Sequence, residues 1–203
     1  TILDGQSTGS TTTQGILIAN SITAYIKDLS IERCRIASDG AAIYLGSNVQ
    51  LTLSNLTVSY NYAQNAGAIY GNGATVSINS SLFIGNSAAS AGGVGYQGVW
   101  TAVNSVFRNN SATWGGIAYD STWAVSNCSF SGNSASSKGG IINGNYWNAV
   151  NSIFWNNPEN GIERNQFNST QVTLSYSLIS TSNFFGGLGA SGVPVFEDLV
   201  PSL

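Results

Sequence analysis

Seven times along the chain, apolar side chains take alternate positions of a short stretch. The pairs are Ala24/Ile26, Leu51/Leu53, Val76/Ile78, Trp100/Ala102, Trp123/Val125, Trp147/Ala149 and Val172/Leu174, with mostly polar residues between them. Period-two alternation predicts half-buried β-strands. Five residues further on stands an apolar anchor: Ile31, Val58, Phe83, Phe107, Phe130, Phe154 and Ile179, at intervals of 23 to 27 residues. Three residues after each anchor come Cys34, Asn61, Asn86, Asn110, Asn133, Asn157 and Ser182. A further apolar row, Ile43, Ile69, Val94, Ile117, Ile141 and Ile162, follows the glycines.

No apolar stripe at helical spacing occurs, so each unit reads as about three short strands joined by Gly, Asn and Ser turns. A unit of about 24 residues built this way cannot bury its own apolar face and must stack on its neighbours. The sequence therefore predicts an all-β chain, a right-handed single-stranded parallel β-helix (solenoid) of about eight coils, right-handedness being the rule for parallel crossovers. It reads as one domain over 1–203, with a first irregular coil at 1–20, regular repeats at 21–180 and a C-terminal tail or cap at 181–203.

Stacking assigns roles, because equivalent residues of adjacent coils lie about 4.8 Å apart. Asn61, Asn86, Asn110, Asn133 and Asn157 are expected to form an amide ladder that hydrogen-bonds from coil to coil and satisfies turn backbone inside. Phe83, Phe107, Phe130 and Phe154 become stacked core rungs. Trp100, Trp123 and Trp147 form a second stack, given room by the small Ala102 and Ala149. Paired glycines take the sharp corners. Cys34 stands in the Asn row and Cys128 four coils later, about 19 Å away at that spacing. A disulfide needs Cα atoms within about 7 Å, so two free, buried thiols are expected.

The repeated "GAAI" (40–43), "GAI" (67–69), "GGV", "GGI" and "GGI", with "FIGN", "FRNN", "FSGN" and "FWNN", resemble the GGA[I/L/V] and FxxN repeats of chlamydial polymorphic outer-membrane proteins and related bacterial surface β-helices. "TILDGQ" at one end and "SYSLI" followed by "GVPVFED" at the other are similar to the flanking coils of such proteins. The resemblance implies an extracellular β-helix in a family linked to adhesion and to secretion through an outer-membrane barrel. Nothing in this sequence matches that barrel, so autotransport and membrane anchoring are not carried over.

Charge and chemistry narrow the function. Only 7% of residues are charged, against roughly 25% in an average soluble domain. The net charge is −3 and the six basic residues are scattered, which leaves no electrostatic footprint for nucleic acid. No apolar run approaches the roughly 20 residues that span a bilayer. A chain that starts at Thr1 and contains no Met is expected to be secreted, with a processed N-terminus, and to reside outside the cell or at its surface.

There is no histidine, hence no His base, His metal site or His-dependent triad. The acids are dispersed: only Asp28, Glu32 and Asp39 share a coil, and Asp28 stands in a turn row otherwise filled mostly by Asn or Ser, as a turn-capping acid would. The glycines recur once per coil with no helix after them, unlike a phosphate loop. No catalytic residue, cofactor or metal is expected.

The sequence points instead to a non-enzymatic structural or adhesive protein whose main partner is itself, in a filament, sheath or surface layer, with surface glycans as a further partner. Low charge and strand-like, apolar ends without a capping helix favour such association. The alternatives are a carbohydrate-binding or carbohydrate-degrading β-helix, and an ice-binding solenoid using Thr-rich outward rows (Thr23, Thr75 and Thr122 beside Thr52, Thr101 and Thr173) that Gln50 and Tyr146 interrupt. Arg108, Trp114 and Trp155 are residues the repeat does not require, and so are the candidates for surface contact.

Overall fold

A computed structural model of the chain describes residues 1–6, 12–158 and 167–179. Ile162, Ser182 and the 181–203 segment of the sequence reading lie outside them. The chain winds repeatedly through three sheets, an all-β parallel solenoid. One turn shows the order. Val99–Val103 lies in a broad sheet of twelve strands, Val106–Arg108 in an eight-stranded sheet that carries the anchors, and Ser111–Trp114 in a short four-stranded sheet. Ala118–Tyr119 then returns to the broad sheet, and Thr122–Ser126 begins the next turn alongside Val99–Val103. The broad sheet is two ladders that merge at Ile142–Val150, a strand long enough to belong to both.

Parallel pairing sets Leu51, Val76, Trp100, Trp123, Trp147 and Val172 in one column. Ile31, Val58, Phe83, Phe107, Phe130, Phe154 and Ile179 form another. Inside, Trp100 and Trp123 stack at 4.9 Å between ring centroids with planes 1° apart. Phe83, Phe107, Phe130 and Phe154 stack at 5.2, 4.8 and 4.9 Å. The two columns interlock edge to face, Phe107 on Trp123 and Phe130 on Trp147. Each such pair adds about 0.5–1.5 kcal/mol to the area buried.

The turns explain the amide-rich composition. Asp28, Asn55, Ser80, Asn104, Asn127 and Asn151, between the broad and anchor sheets, all have left-handed φ of 46° to 56°. Asn and Asp tolerate that region better than other side chains because their short polar groups bond locally. Asp28 is therefore a turn residue, and it accepts a hydrogen bond from the next rung, Asn55 Nδ2, at 2.8 Å. The paired glycines divide their work. Gly115 has φ +64°, whereas Gly116 has an ordinary φ but no room, since a Cβ there would lie 2.2 Å from the Gly140 carbonyl oxygen.

The row following the glycines differs from its sequence reading. Pairing aligns Ile43 and Ile69 not with Val94, Ile117 and Ile141 but with Gly95, Ala118 and Ile142. The reason is volume. A Cβ on Gly95 would meet the Trp123 and Trp100 rings at 3.0 and 3.1 Å. Where the strand column carries Leu51 or Val76, the corner holds Ile. Beside Trp100 and Trp123 the corner shrinks to Gly95 and Ala118, and the apolar residue moves back one place, while beside Trp147 both places hold Ile, as Ile141 and Ile142.

Candidate functional site

The buried asparagines form a continuous ribbon. Asn86 Oδ1 accepts from the backbone N–H and the Nδ2 of Asn61, at 3.2 and 2.9 Å. Its Nδ2 donates to the Val58 carbonyl at 2.8 Å and to Asn110 Oδ1 at 3.0 Å. Asn110 and Asn133 repeat the pattern, and Asn157 Nδ2 reaches the Phe130 carbonyl at 3.1 Å. Each central amide thus ties three coils together with every donor and acceptor in use. Cys34 stands at the ladder's early end and joins it through its backbone N–H, which donates to Asn61 Oδ1.

Two further ladders escaped the sequence reading. Ser81, Ser105, Ser152 and Ser177 stand two residues before their anchors. Each hydroxyl donates to the carbonyl two residues back at 2.7 to 2.9 Å. Cys128 occupies the same column, its thiol donating to Ser126 O as the serine hydroxyls do, which makes it a rung of this ladder. Both cysteines are free and buried. The constant offset of Ser81, Ser105, Cys128, Ser152 and Ser177, two residues before the anchor, was the available signal.

The second missed ladder is aromatic. Tyr44, Tyr70, Tyr96 and Tyr119 stack at 5.1, 5.3 and 5.5 Å on the outer face of the broad sheet. Each half-buried ring covers a face of its neighbour. Burial, with Asp39 next in weight, raises the Tyr70 phenol above its ordinary pKa. Burial also raises Tyr96, followed by the neighbouring Tyr119, Asp120 and Asp39. Trp114 closes this stack, tilted on Tyr119 at 6.1 Å.

Arg108 and Trp155 lie on a different sheet from Trp114. They share the outward row of the anchor sheet, in the order Ile84, Arg108, Ser131, Trp155. The parallel outward row reads Leu82, Val106, Ser129, Ile153. The Ser129–Ser131 rung therefore carries only small side chains outward, and larger ones stand on the rungs to either side. Trp155 is 58% exposed, Ile153 is exposed on the same strand, and Val106 is exposed two rungs earlier. A concavity of about 460 Å³ opens along the Val106, Ser129, Ile153 row, on the side of the turn asparagines Asn104, Asn127 and Asn151 and away from the Arg108, Ser131, Trp155 row.

The described acids are each engaged. Arg33 pairs with Asp4 and Glu32, and its hydrogen bond holds the Asp4 carboxyl below the usual carboxylate range. Asp39 accepts from Asn65, and Asp120 accepts from Gln97 and Asn145. Among the described residues no group of three or more His, Cys, Asp or Glu is placed to hold a metal ion, and no helix is long and apolar enough to cross a membrane. On the broad sheet Thr101 bonds Ser77, while Val99, Ala124 and Tyr146 break the threonine rows. No family model, curated protein or solved structure matches the chain.

Proposed function

We propose that the chain is an extracellular structural or adhesive β-solenoid, wound right-handed in about eight coils, whose rigid core serves to present a repetitive outer surface. The observation that carries this reading is the outward face of the anchor sheet. Val106, Ile153 and Trp155 are exposed there on the two rungs that flank Ser129–Ser131, although the same sequence buries four phenylalanines and three tryptophans completely or nearly so. Large apolar side chains left outside on one face, when the core takes up so many others, support its use as a contact surface.

The low charge of the chain supports packing of copies side by side, with little repulsion to oppose it. The reading is non-enzymatic: the described carboxylates are committed to guanidinium and amide partners. Electron microscopy and sedimentation of the native protein, together with an adhesion assay on whole cells, test it. Filaments, sheets or retention on a cell surface are expected. A particle that stays monomeric at high concentration and adheres to nothing refutes it.

A further inference from the structure

We infer that the notch at Ser129–Ser131 binds the carboxylated sugar unit of an acidic glycan, a proposal that rests on the adhesive reading and names its ligand. The notch is built by a size difference between successive rungs. Phe130 points inward, so Ser129 and Ser131 both point outward, half-buried, as a low floor. Arg108 stands on the rung before and Trp155 on the rung after, in the same column. Two strand spacings separate them, roughly 10 Å, which is wide enough to admit one sugar ring.

The chemistry of the walls selects the occupant. Arg108 is exposed, and the ion pairs among the described residues are made by Arg33, not by Arg108. Its planar fork of N–H groups matches a carboxylate in a bidentate pair. Trp155 offers an exposed indole opposite, suited to the C–H face of a pyranose. The Ser129 and Ser131 hydroxyls, on the rung between, offer donors and acceptors to ring hydroxyls. A free phosphate would satisfy Arg108 and leave Trp155 unused; a neutral sugar would do the reverse. A carboxylated sugar uses both.

The test is an array of oligosaccharides ending in glucuronic acid or sialic acid, each beside its uncharged parent, followed by titration calorimetry of the strongest binder. Acidic members are expected to bind about tenfold or more tightly than their parents. Arg108→Gln and Trp155→Ala should each weaken binding by a similar factor, Arg108→Lys should fall between, and Tyr25→Ala on the broad sheet should change nothing. Circular dichroism and melting temperature should not move, because both side chains are exposed. Equal binding of the uncharged parents, indifference to both substitutions, or no binding to any acidic probe overturns the proposal. If adhesion or assembly persists while every acidic probe fails, the notch falls and the adhesive reading stands. Acidic-sugar binding by a protein that neither adheres nor assembles keeps the notch and refutes the adhesive reading.

Discussion

Asn110 Oδ1 receives two hydrogen bonds from Asn86, one from its backbone N–H at 2.9 Å and one from its Nδ2 at 3.0 Å. Asn110 in turn donates to the Phe83 carbonyl one coil back. All of these groups are fully buried, so removing the amide strands donors and acceptors that water cannot reach. Each such orphan costs about 1–3 kcal/mol. Asn110→Ala is therefore expected to destabilise the fold by about 3 kcal/mol, read from urea denaturation. Asn61→Ala should cost less, because its oxygen serves only the single N–H of Cys34.

The exchange of volume at the corner predicts a coupled pair. Gly95→Val places methyl groups against the Trp100 and Trp123 rings and should cost about 1–3 kcal/mol by overpacking. Gly95 has no left-handed φ, so the backbone itself tolerates the change. Adding Trp100→Val recreates the pairing of the preceding coil, where Ile69 accompanies Val76. The double variant should recover part of the loss, with a coupling energy above about 0.5 kcal/mol in a double-mutant cycle. Strict additivity would show that the two positions do not share one space.

The same pair shows what was legible in the sequence. Phe83, Phe107 and Asn86, Asn110 sit at fixed offsets in segments of constant length, and counting from the anchor places them without the structure. The short sheet varies: Ser87–Ala91 has one residue more than Tyr62–Asn65, absorbed as a register shift between Ala88 and Ala91. Offsets counted across it lose a residue, which is why counting aligns Ile69 with Val94 instead of Gly95. The notch is illegible for another reason. Arg108 and Trp155 stand out as residues the repeat does not need, but their shared column depends on which neighbours of each anchor point outward, and the small Ser129 and Ser131 between them carry no signal of their own.

Cys34 and Cys128 provide a test of core integrity. Burial raises both thiols above their ordinary pKa, so the reactive thiolate is both scarce and enclosed. Native protein at pH 8 should resist alkylation by iodoacetamide, whereas urea-unfolded protein should take up two labels. Cys128→Ser should be tolerated, since a hydroxyl belongs to the column that Ser105 and Ser152 already occupy. Rapid labelling of the native state would show that the coil around Cys128 opens locally.

High pH should act through the stacked tyrosines. Tyr70 and Tyr96 have folded-state pKa values raised above the unfolded 10.0, chiefly by burial. A raised folded pKa means that the neutral phenol is the form the fold favours. Its contribution is complete below pH 10.0 and is lost as the pH climbs from there through the folded pKa. Stability measured by urea denaturation should therefore fall above that pH, and absorbance at the phenolate band should show a late-titrating component. Tyr70→Phe with Tyr96→Phe keeps the stack and removes the ionisation. The double variant should lose the late component and show a shallower alkaline decline, while its stability at neutral pH stays near that of the parent. An unchanged decline would assign alkaline unfolding to other groups, the two buried thiols first among them.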